Sequence, residues 1–295
     1  MKVQGCDCSI TIKTTNGEMD VPYSEETIRE DVILLQEEAS IEGDGISRAI
    51  QKKSGITGCI VTPLTLRTAP LLLYLAMGTV GCHFNCTGTR DLYLYELNLL
   101  PMEDTDCFSL IQERQGISER RLLEDCRVQG FELRIIRDEA IKLKLDISGE
   151  RSPSVYPYTD IFSREKGERF NGENVTYRIN RKEQNNIYGL TLITKKKANG
   201  TKTEVWIKRA LVKNDKMENE TDFSYINEMT ITAKLKRDKY EKRCFGMFHI
   251  ILNGLFLKSD ETIINSADTV IGPLRYFVAR DIKMHVFKSG DEAIA

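Results

Sequence analysis

The sequence contains little of what enzymes use for catalysis. It has three histidines, His83, His249 and His285, and a single tryptophan. None of the histidines stands in a local arrangement with Ser, Cys or Asp that is typical of nucleophilic catalysis. The motifs G-x-G-x-x-G, G-x-x-x-x-G-K-[ST] and G-x-S-x-G are also absent from the sequence. The sequence therefore predicts no catalytic residues and a protein that is not an enzyme.

Long apolar runs are missing as well. The densest one, Ala69–Met77, is far shorter than the roughly 20 residues that span a bilayer. The first thirteen residues lack the apolar segment of a signal peptide. We therefore expect no membrane segment and no export. The eight cysteines are then expected to be reduced thiols.

The spacing of cysteine and histidine does not predict a metal site. Cys82-His83-x-x-Cys86 and Cys6-x-Cys8 contain residue types that bind zinc. Cys82 and Cys86 are nevertheless four positions apart on one predicted strand, which places their side chains well apart. We therefore predict neither a metal ion nor a cofactor.

Charge is distributed unevenly along the chain, although its net value is only −2. Residues 1–150 hold 16 Lys and Arg against 25 Asp and Glu, whereas residues 151–295 hold 26 against 19. Opposite charges on the two halves favour head-to-tail attraction between copies. The alternative is that each half has a different solvated surface. The run Lys195–Lys197 is expected at an exposed hairpin tip, and a nucleic-acid interface there is the weaker interpretation.

What the sequence does contain is strand periodicity, most clearly after residue 125. Residues 126–137 are followed by a short corner and then by a segment in which apolar and polar residues alternate. The apolar positions of that segment are Ile141, Leu143, Leu145 and Ile147. The polar positions are Lys142, Lys144 and Asp146. Because successive side chains of a strand point to opposite faces, the pattern predicts a half-buried antiparallel hairpin.

Similar segments recur to the C-terminus, so the predicted fold class is mainly β. We expect an α+β chain with one or two short helices, arranged as a β-sandwich or barrel. The sequence predicts one short apolar helix, with Thr68 as its cap, Pro70 in its first turn and Gly78 at its end.

Two segments are expected to lie outside this regular structure. Residues 21–55 are acidic and polar and predict an arm or loop, in which Ser24–Thr27 could cap a short helix. Residues 150–173 are rich in loop-forming residues. They place a boundary between a first domain, 1–150, and a second, 151–295. The alternatives are one continuous domain and two related β modules.

The order of these elements resembles a known family. Thr62–Gly78 contains T-P-L-x-L and a short helix that ends in glycine. Arg120–Arg134 reads RRLLEDCRVQGFELR and precedes the alternating strand that closes at residues 148–149. This arrangement is similar to bacteriophage tail tube proteins, in particular to the longer members of the family. The resemblance is clearest over residues 56–150 and extends loosely over 229–287, and Asp125 stands where many relatives carry a glycine before the cysteine.

The resemblance implies a tail-tube-like β fold and a structural role in the virion tail, after synthesis in the cytoplasm of the bacterial host. Members of the family form rings that stack into a hollow tube. The first implied partner is therefore the protein itself, as a hexamer or a pseudo-hexameric trimer. The others are tail proteins: sheath, tape measure, terminator and baseplate. Double-stranded DNA would pass through the lumen without specific binding, which requires a wall that is not strongly positive.

Polar strand faces are the candidate sites under this interpretation. We expect that the face with Lys142, Lys144 and Asp146, or the face with Glu132 and Arg134, meets the lumen or a neighbouring subunit.

The acidic arm is the second candidate site. Glu37, Glu38 and Asp44 are expected to reach an adjacent ring. Two other interpretations of the whole chain stay open. One is a different tail part, such as a terminator or baseplate protein, and the other is a β-rich carbohydrate-binding or hydrolytic protein.

Overall fold

The computed structural model describes most of the chain. The described residues are 8–15, 17–36, 49–86, 91–114, 119–151, 168–197, 200–209, 224–235, 246–260, 263–264, 269–270 and 273–289. Glu37, Glu38 and Asp44, the residues of the expected arm, lie outside them.

The described residues form one α-helix and a series of strands, numbered here in chain order. Strands β1 to β7 are Cys8–Thr14, Gly17–Val21, Glu25–Glu26, Arg29–Gln36, Ala49–Pro63, Gly78–Cys86 and Asp91–Leu99. Strands β8 to β14 are Phe108–Arg114, Glu119–Ile136, Lys142–Arg151, Val175–Ile179, Lys182–Glu183, Ile187–Lys197 and Gly200–Arg209. Strands β15 to β20 are Tyr225–Lys234, Gly246–Asp260, Ile263–Ile264, Thr269–Val270, Leu274–Val278 and Ile282–Ser289. Helix α1, Ala69–Met77, lies between β5 and β6.

The predicted hairpin is present as β9 and β10, which pair along most of their length. Leu143 lies opposite Leu133, and Leu145 lies opposite Phe131. All four side chains are buried, and each stabilises the fold by about 1.5–3 kcal/mol through the apolar surface removed from water. The prediction of a mainly β fold with a short helix is confirmed, since 18 strands belong to one sheet.

Two long strands, β9 and β16, organise this sheet. Each pairs along one edge with a single partner, β9 with β10 and β16 with β15. The opposite edge of each strand is shared between two partners. The first part of β9 pairs with β8 and its last part with β13. The first part of β16 pairs with β20 and its last part with β19.

Pairing crosses the expected boundary between the two halves of the chain. β9 pairs with β13, and β7 pairs with β20. One hydrophobic cluster contains buried residues of both halves, for example Leu145 and Ile250. The division into two domains and the relation between two β modules stay predictions.

Helix α1 lies where the sequence predicts it. Pro70 occupies its first turn, and Gly78 ends it with a φ of 112° and an N–H that donates to the Tyr74 carbonyl. All of its residues except Tyr74 are buried, as expected for a helix that is apolar on every side. None of the described helical structure is long and apolar enough to cross a membrane.

The prediction of a helix cap at Ser24–Thr27 is wrong. Glu25–Glu26 forms β3, which pairs with β5, and the Ser24 N–H donates to the Val61 carbonyl at 2.7 Å. The Glu26 carboxylate accepts a hydrogen bond from the Ile28 N–H at 2.6 Å. Pairing with β5 thus satisfies backbone groups that a helix would satisfy internally.

The expected arm also contains more regular structure than predicted. β4 and β5 pair in antiparallel fashion from Arg29 opposite Thr57 to Gln36 opposite Ala49. A long strand therefore begins at Ala49, whereas the sequence pattern predicted strand character only from Ile56. A partner strand makes a polar segment extended, because its backbone groups then pair along the sheet edge.

Candidate functional site

The five candidate strand residues lie on one face of the sheet. Lys142 is directly opposite Arg134, and Lys144 is directly opposite Glu132, across β9 and β10. Asp146 follows on the same side of β10, opposite Gly130. Because opposed residues of an antiparallel pair point the same way, the two faces that the sequence offered as alternatives are a single face.

This face continues well beyond the hairpin, and we call it the outward face. Its central row crosses eight strands through residues in direct register: Val61, Lys144, Glu132, Ile193, Glu204, Phe277, Phe256 and Tyr225. On each strand, the residues directly before and after the one in the central row point to the core. The candidate residues are therefore one end of a surface that reaches β15.

Charges at the β10 end of the outward face are partly paired. Lys144 Nζ lies 3.3 Å from Asp146 Oδ1, and both side chains are partly exposed. Burial lowers the pKa of Lys144, but Asp146, Cys59 and Glu132 raise it by more, so that its net pKa is raised. An ion pair this exposed contributes at most about 1 kcal/mol to stability.

A second group of charges surrounds Glu204, further along the central row. Glu204 Oε1 is 3.3 Å from Lys202 Nζ and 3.2 Å from Lys258 Nζ. Burial raises the pKa of Glu204, but hydrogen bonds from the two lysines outweigh it and lower the pKa. Both Nζ atoms also lie 4.9 Å from the centroid of the Phe277 ring, which is within the range of a cation–π contact.

Aromatic side chains lie against these lysines. Phe256 is opposite Phe277 in the sheet, and its ring centroid is 4.8 Å from that of Tyr225. Phe256 is 51% exposed, and among the described residues it is the one exposed large hydrophobic side chain. We call Tyr225, Phe256, Phe277, Lys202, Lys258 and Glu204 the lysine–aromatic patch. Next to it, the Arg275 guanidinium lies 4.4 Å from the ring centroid of Trp206.

The outward face has an excess of positive charge. The rows on either side of the central row contain Lys142, Arg134 and Arg275 on one side and Asp146, Lys195 and Lys202 on the other. The three rows together hold six basic and three acidic side chains. The sequence interpretation expects the wall of a DNA channel not to be strongly positive, which fits this balance poorly.

The lysine–aromatic patch is missed by sequence reasoning. The alternation within β16 predicts the opposite, because Phe256 has the parity of the buried residues Phe248, Ile250 and Leu252. The buried side changes parity at Gly254 and Leu255, which are both buried, and Gly254 has a φ of 66°. The pairing of this end of β16 with β19 and β14 could not be read from the sequence.

The lysine run at 195–197 is not wholly exposed as predicted. Lys195 and Lys197 are exposed, but Lys196 is only 5% exposed because strand alternation turns it toward the core. Its Nζ lies 3.4 Å from the carbonyl oxygen of Met77, at the C-terminal end of α1, where a cation is favoured. Burial lowers the pKa of Lys196 from 10.5 to about 8.

We predict that Lys196→Met stabilises the protein. At neutral pH the ammonium is buried while still protonated, so the apolar side chain should raise the free energy of unfolding by about 2 kcal/mol. The cost of burial falls as the pH rises from about 8 toward 10.5, and the gain should shrink with it. Urea unfolding at neutral pH measures the gain in unfolding free energy, and urea unfolding near pH 10 measures how far the gain has shrunk. Lys195→Met is the exposed control, and equal stability of wild type and Lys196→Met would refute the prediction.

Two of the three histidines face each other on β16 and β20. The rings of His249 and His285 are stacked, with centroids 6.1 Å apart, and His249 Nδ1 is 2.8 Å from Thr232 Oγ1. Burial and His285 lower the pKa of His249, Glu228 raises it, and Arg178 lowers it, with a net lowering. The lowered pKa of His249 makes this pair of histidines sensitive to acid. The two residues are simply opposite each other on paired strands of the sheet.

Mild acid is therefore expected to destabilise the fold through His249. Its folded pKa lies below the usual value of 6.5, so stability is complete above 6.5 and is lost as the pH falls through the folded value. His249→Gln should flatten the decrease in unfolding free energy between about pH 7 and pH 5. Denaturant titrations across that range test it, and an unchanged decrease would assign the acid sensitivity to other groups.

No group of three or more His, Cys, Asp and Glu among the described residues could hold a metal ion. A cavity of about 210 Å³ is lined by Asn98, Thr203, Arg280 and Asp281 among others. Asp281 in that cavity already accepts a hydrogen bond from Asn253 at 2.7 Å.

No protein-family model and no curated protein matches the chain.

Proposed function

We propose that this protein is a structural subunit of a bacteriophage tail tube, which assembles with copies of itself into stacked rings that conduct DNA. The sequence resemblance over residues 56–150 supports the proposal. The described structure supports it with a wide antiparallel sheet whose polar residues form an extended surface. A sheet with an unpaired edge can add a strand of another chain through backbone hydrogen bonds.

Strand β6 is the observation that carries the proposal. Its nine residues, GTVGCHFNC, pair with β7 along their full length. Among the described residues, β7 is the one strand with which β6 is in register. The strand contains no proline and no charged residue, although these are the usual protection of a sheet edge. Such an edge favours pairing with a strand of another chain.

The outward face supports a contact between subunits better than a channel wall. An excess of basic residues in a narrow bore would retain DNA phosphates. A neighbouring subunit with an acidic surface would be attracted by the same residues. Of the two roles that the sequence offered for Lys142, Lys144 and Asp146, we therefore favour the contact with a neighbour.

Electron microscopy of the purified protein tests the proposal. We expect tubes of uniform diameter, or rings that stack into tubes as the concentration rises. Cys82→Lys adds a charge to an exposed position of β6, so it should inhibit assembly without lowering the melting temperature. Lys182→Glu on β12 is the control and should leave assembly unchanged. Single rings that never stack would favour a terminator or baseplate protein. A monomer at every concentration would refute self-assembly.

A carbohydrate-binding protein is the second candidate, and the aromatic rings of the lysine–aromatic patch favour it. The exposed ring of Phe256, with the half-buried ring of Tyr225 beside it, can stack on sugars. Phe277, however, is covered by two lysines. A glycan array separates the two functions, since binding that Phe256→Ser abolishes would favour the carbohydrate interpretation.

A further inference from the structure

The lysine–aromatic patch exposes apolar surface beside fixed charges. Phe256 is 51% exposed although it lies in a strand whose preceding alternate residues are largely buried. Its ring packs against Tyr225 and it lies directly opposite Phe277 in the sheet, so the aromatic residues are neighbours across β15, β16 and β19. Aromatic rings with a charged rim are typical of the centre of a protein–protein contact.

The charges of the patch are held in place before any partner arrives. Glu204 bonds both Lys202 and Lys258, and each lysine also contacts the Phe277 ring. The three charged residues together carry a single positive charge. A net charge of +1 is too small for tight binding of a phosphate backbone, which needs several cations. An acidic peptide surface of modest charge fits better.

A turn of the same chain has that chemistry. Met102–Asp104 is a short 3-10 turn followed by Thr105 and Asp106, and we call residues 102–106 the acidic turn. Glu103, Asp104 and Asp106 are all exposed. Within the described part of the chain, neither Glu103 nor Asp104 has a side-chain partner.

Hydrogen bonds hold the acidic turn at its backbone and at Asp106. Arg127 Nη1 donates to the carbonyls of Met102, Glu103 and Thr105 at 3.3, 3.2 and 2.8 Å. The Tyr74 hydroxyl donates to Asp106, and burial together with this hydrogen bond raises the pKa of Tyr74 to about 12. Arg127 thus binds the backbone of the turn, so its carboxylates project from a fixed frame. A turn held in this way loses little conformational freedom on binding.

We propose that the acidic turn of one copy binds the lysine–aromatic patch of a second copy. Lys258 and Lys202 would meet Glu103 and Asp104, and Phe256 would be covered. Turn and patch are different surfaces, so the contact is heterologous and continues from copy to copy. The inference rests on the proposed function, because it specifies one contact of the assembly.

Charge exchange tests the contact. Lys258→Glu and Asp104→Lys, made separately, should each raise the concentration for half-assembly at least about tenfold. The double variant should restore assembly to within about threefold of wild type, because the charges are then exchanged across the interface. Lys182→Glu is the control for an equal charge change elsewhere. Sedimentation velocity measures assembly.

A second variant tests the apolar part. Phe256→Ser should weaken assembly at least about tenfold while leaving thermal unfolding unchanged, since the ring is half exposed. Assembly equal to wild type in this variant would overturn the proposal.

The outcomes separate this contact from the proposed function. If the wild type assembles and the double variant does not recover, the turn-to-patch contact is overturned while the tube proposal stands. If the wild type never assembles, both are overturned. Fluorescence anisotropy with labelled single-stranded DNA gives the last test. If the protein binds this DNA, and Lys258→Glu abolishes the binding while assembly stays intact, the patch is a nucleic-acid site and the turn-to-patch contact is overturned.

Discussion

Gly172→Ala is expected to destabilise the protein by at least about 3 kcal/mol, or to prevent folding. A Cβ atom at this position would lie 1.9 Å from the carbonyl oxygen of Ile136 and 2.6 Å from its carbonyl carbon. Both atoms belong to backbone, so no side chain can rotate away. The Gly172 N–H also donates to the Glu139 carbonyl at 2.9 Å, which fixes the close approach. Urea denaturation followed by circular dichroism measures the loss.

Gly55→Ala is the matched control. No atom lies within 4 Å of a Cβ built on Gly55 in β5. The alanine removes freedom from the unfolded chain, so the change should be neutral or stabilising by less than about 1 kcal/mol. If Gly172→Ala were as stable as Gly55→Ala, the close packing of residues 171–174 against the end of β9 would be wrong.

Leu145→Ala should cost about 2–5 kcal/mol of unfolding free energy. Leu145 is fully buried, and its neighbours across β9 and β5 are Phe131 and Ile60, which are buried too. Removing the side chain leaves a cavity between three strands that can close only in part. Chemical denaturation of the purified variant, with the m-value checked against wild type, measures the effect.

Lys144→Ala tests the same strand from its other side. Lys144 lies on the outward face with one exposed ion pair, so its removal should change stability by no more than about 1 kcal/mol. A large loss of unfolding free energy for Lys144→Ala together with a small one for Leu145→Ala would mean that β10 presents its other side to the core. The assignment of the outward face would then be wrong.

Local patterns predicted the elements whose two faces differ in polarity. β10 was readable because Leu143 and Leu145 alternate with Lys144 and Asp146, and α1 because a proline and a glycine bound an apolar run. β3 was missed, because acidic residues have low strand propensity and only pairing with β5 makes them extended. Lys196 was misjudged because three consecutive lysines conceal the alternation that buries the middle one.

The candidate face was predictable in composition but not in extent. Lys142, Lys144 and Asp146 were identified from their period, and Glu132 and Arg134 from the adjacent strand. Their union into one face depends on register across β9 and β10. The continuation to Phe256 depends on pairings between residues far apart in the chain. Such pairings follow from which edges meet, and alternation within one strand carries no information about that.

The sequence by itself determined that this is a mainly β protein, which residues of its best strands are buried, and where its helix begins and ends. Each of these depends on interactions between near neighbours in the chain, namely side-chain alternation and backbone conformation at proline and glycine. Only the tertiary structure decided that β9 joins β13, that Lys196 is buried beneath α1, and that lysines and aromatic rings from four strands form one patch. Those contacts arise because a sheet matches hydrogen-bonding edges and apolar faces over the whole chain at once.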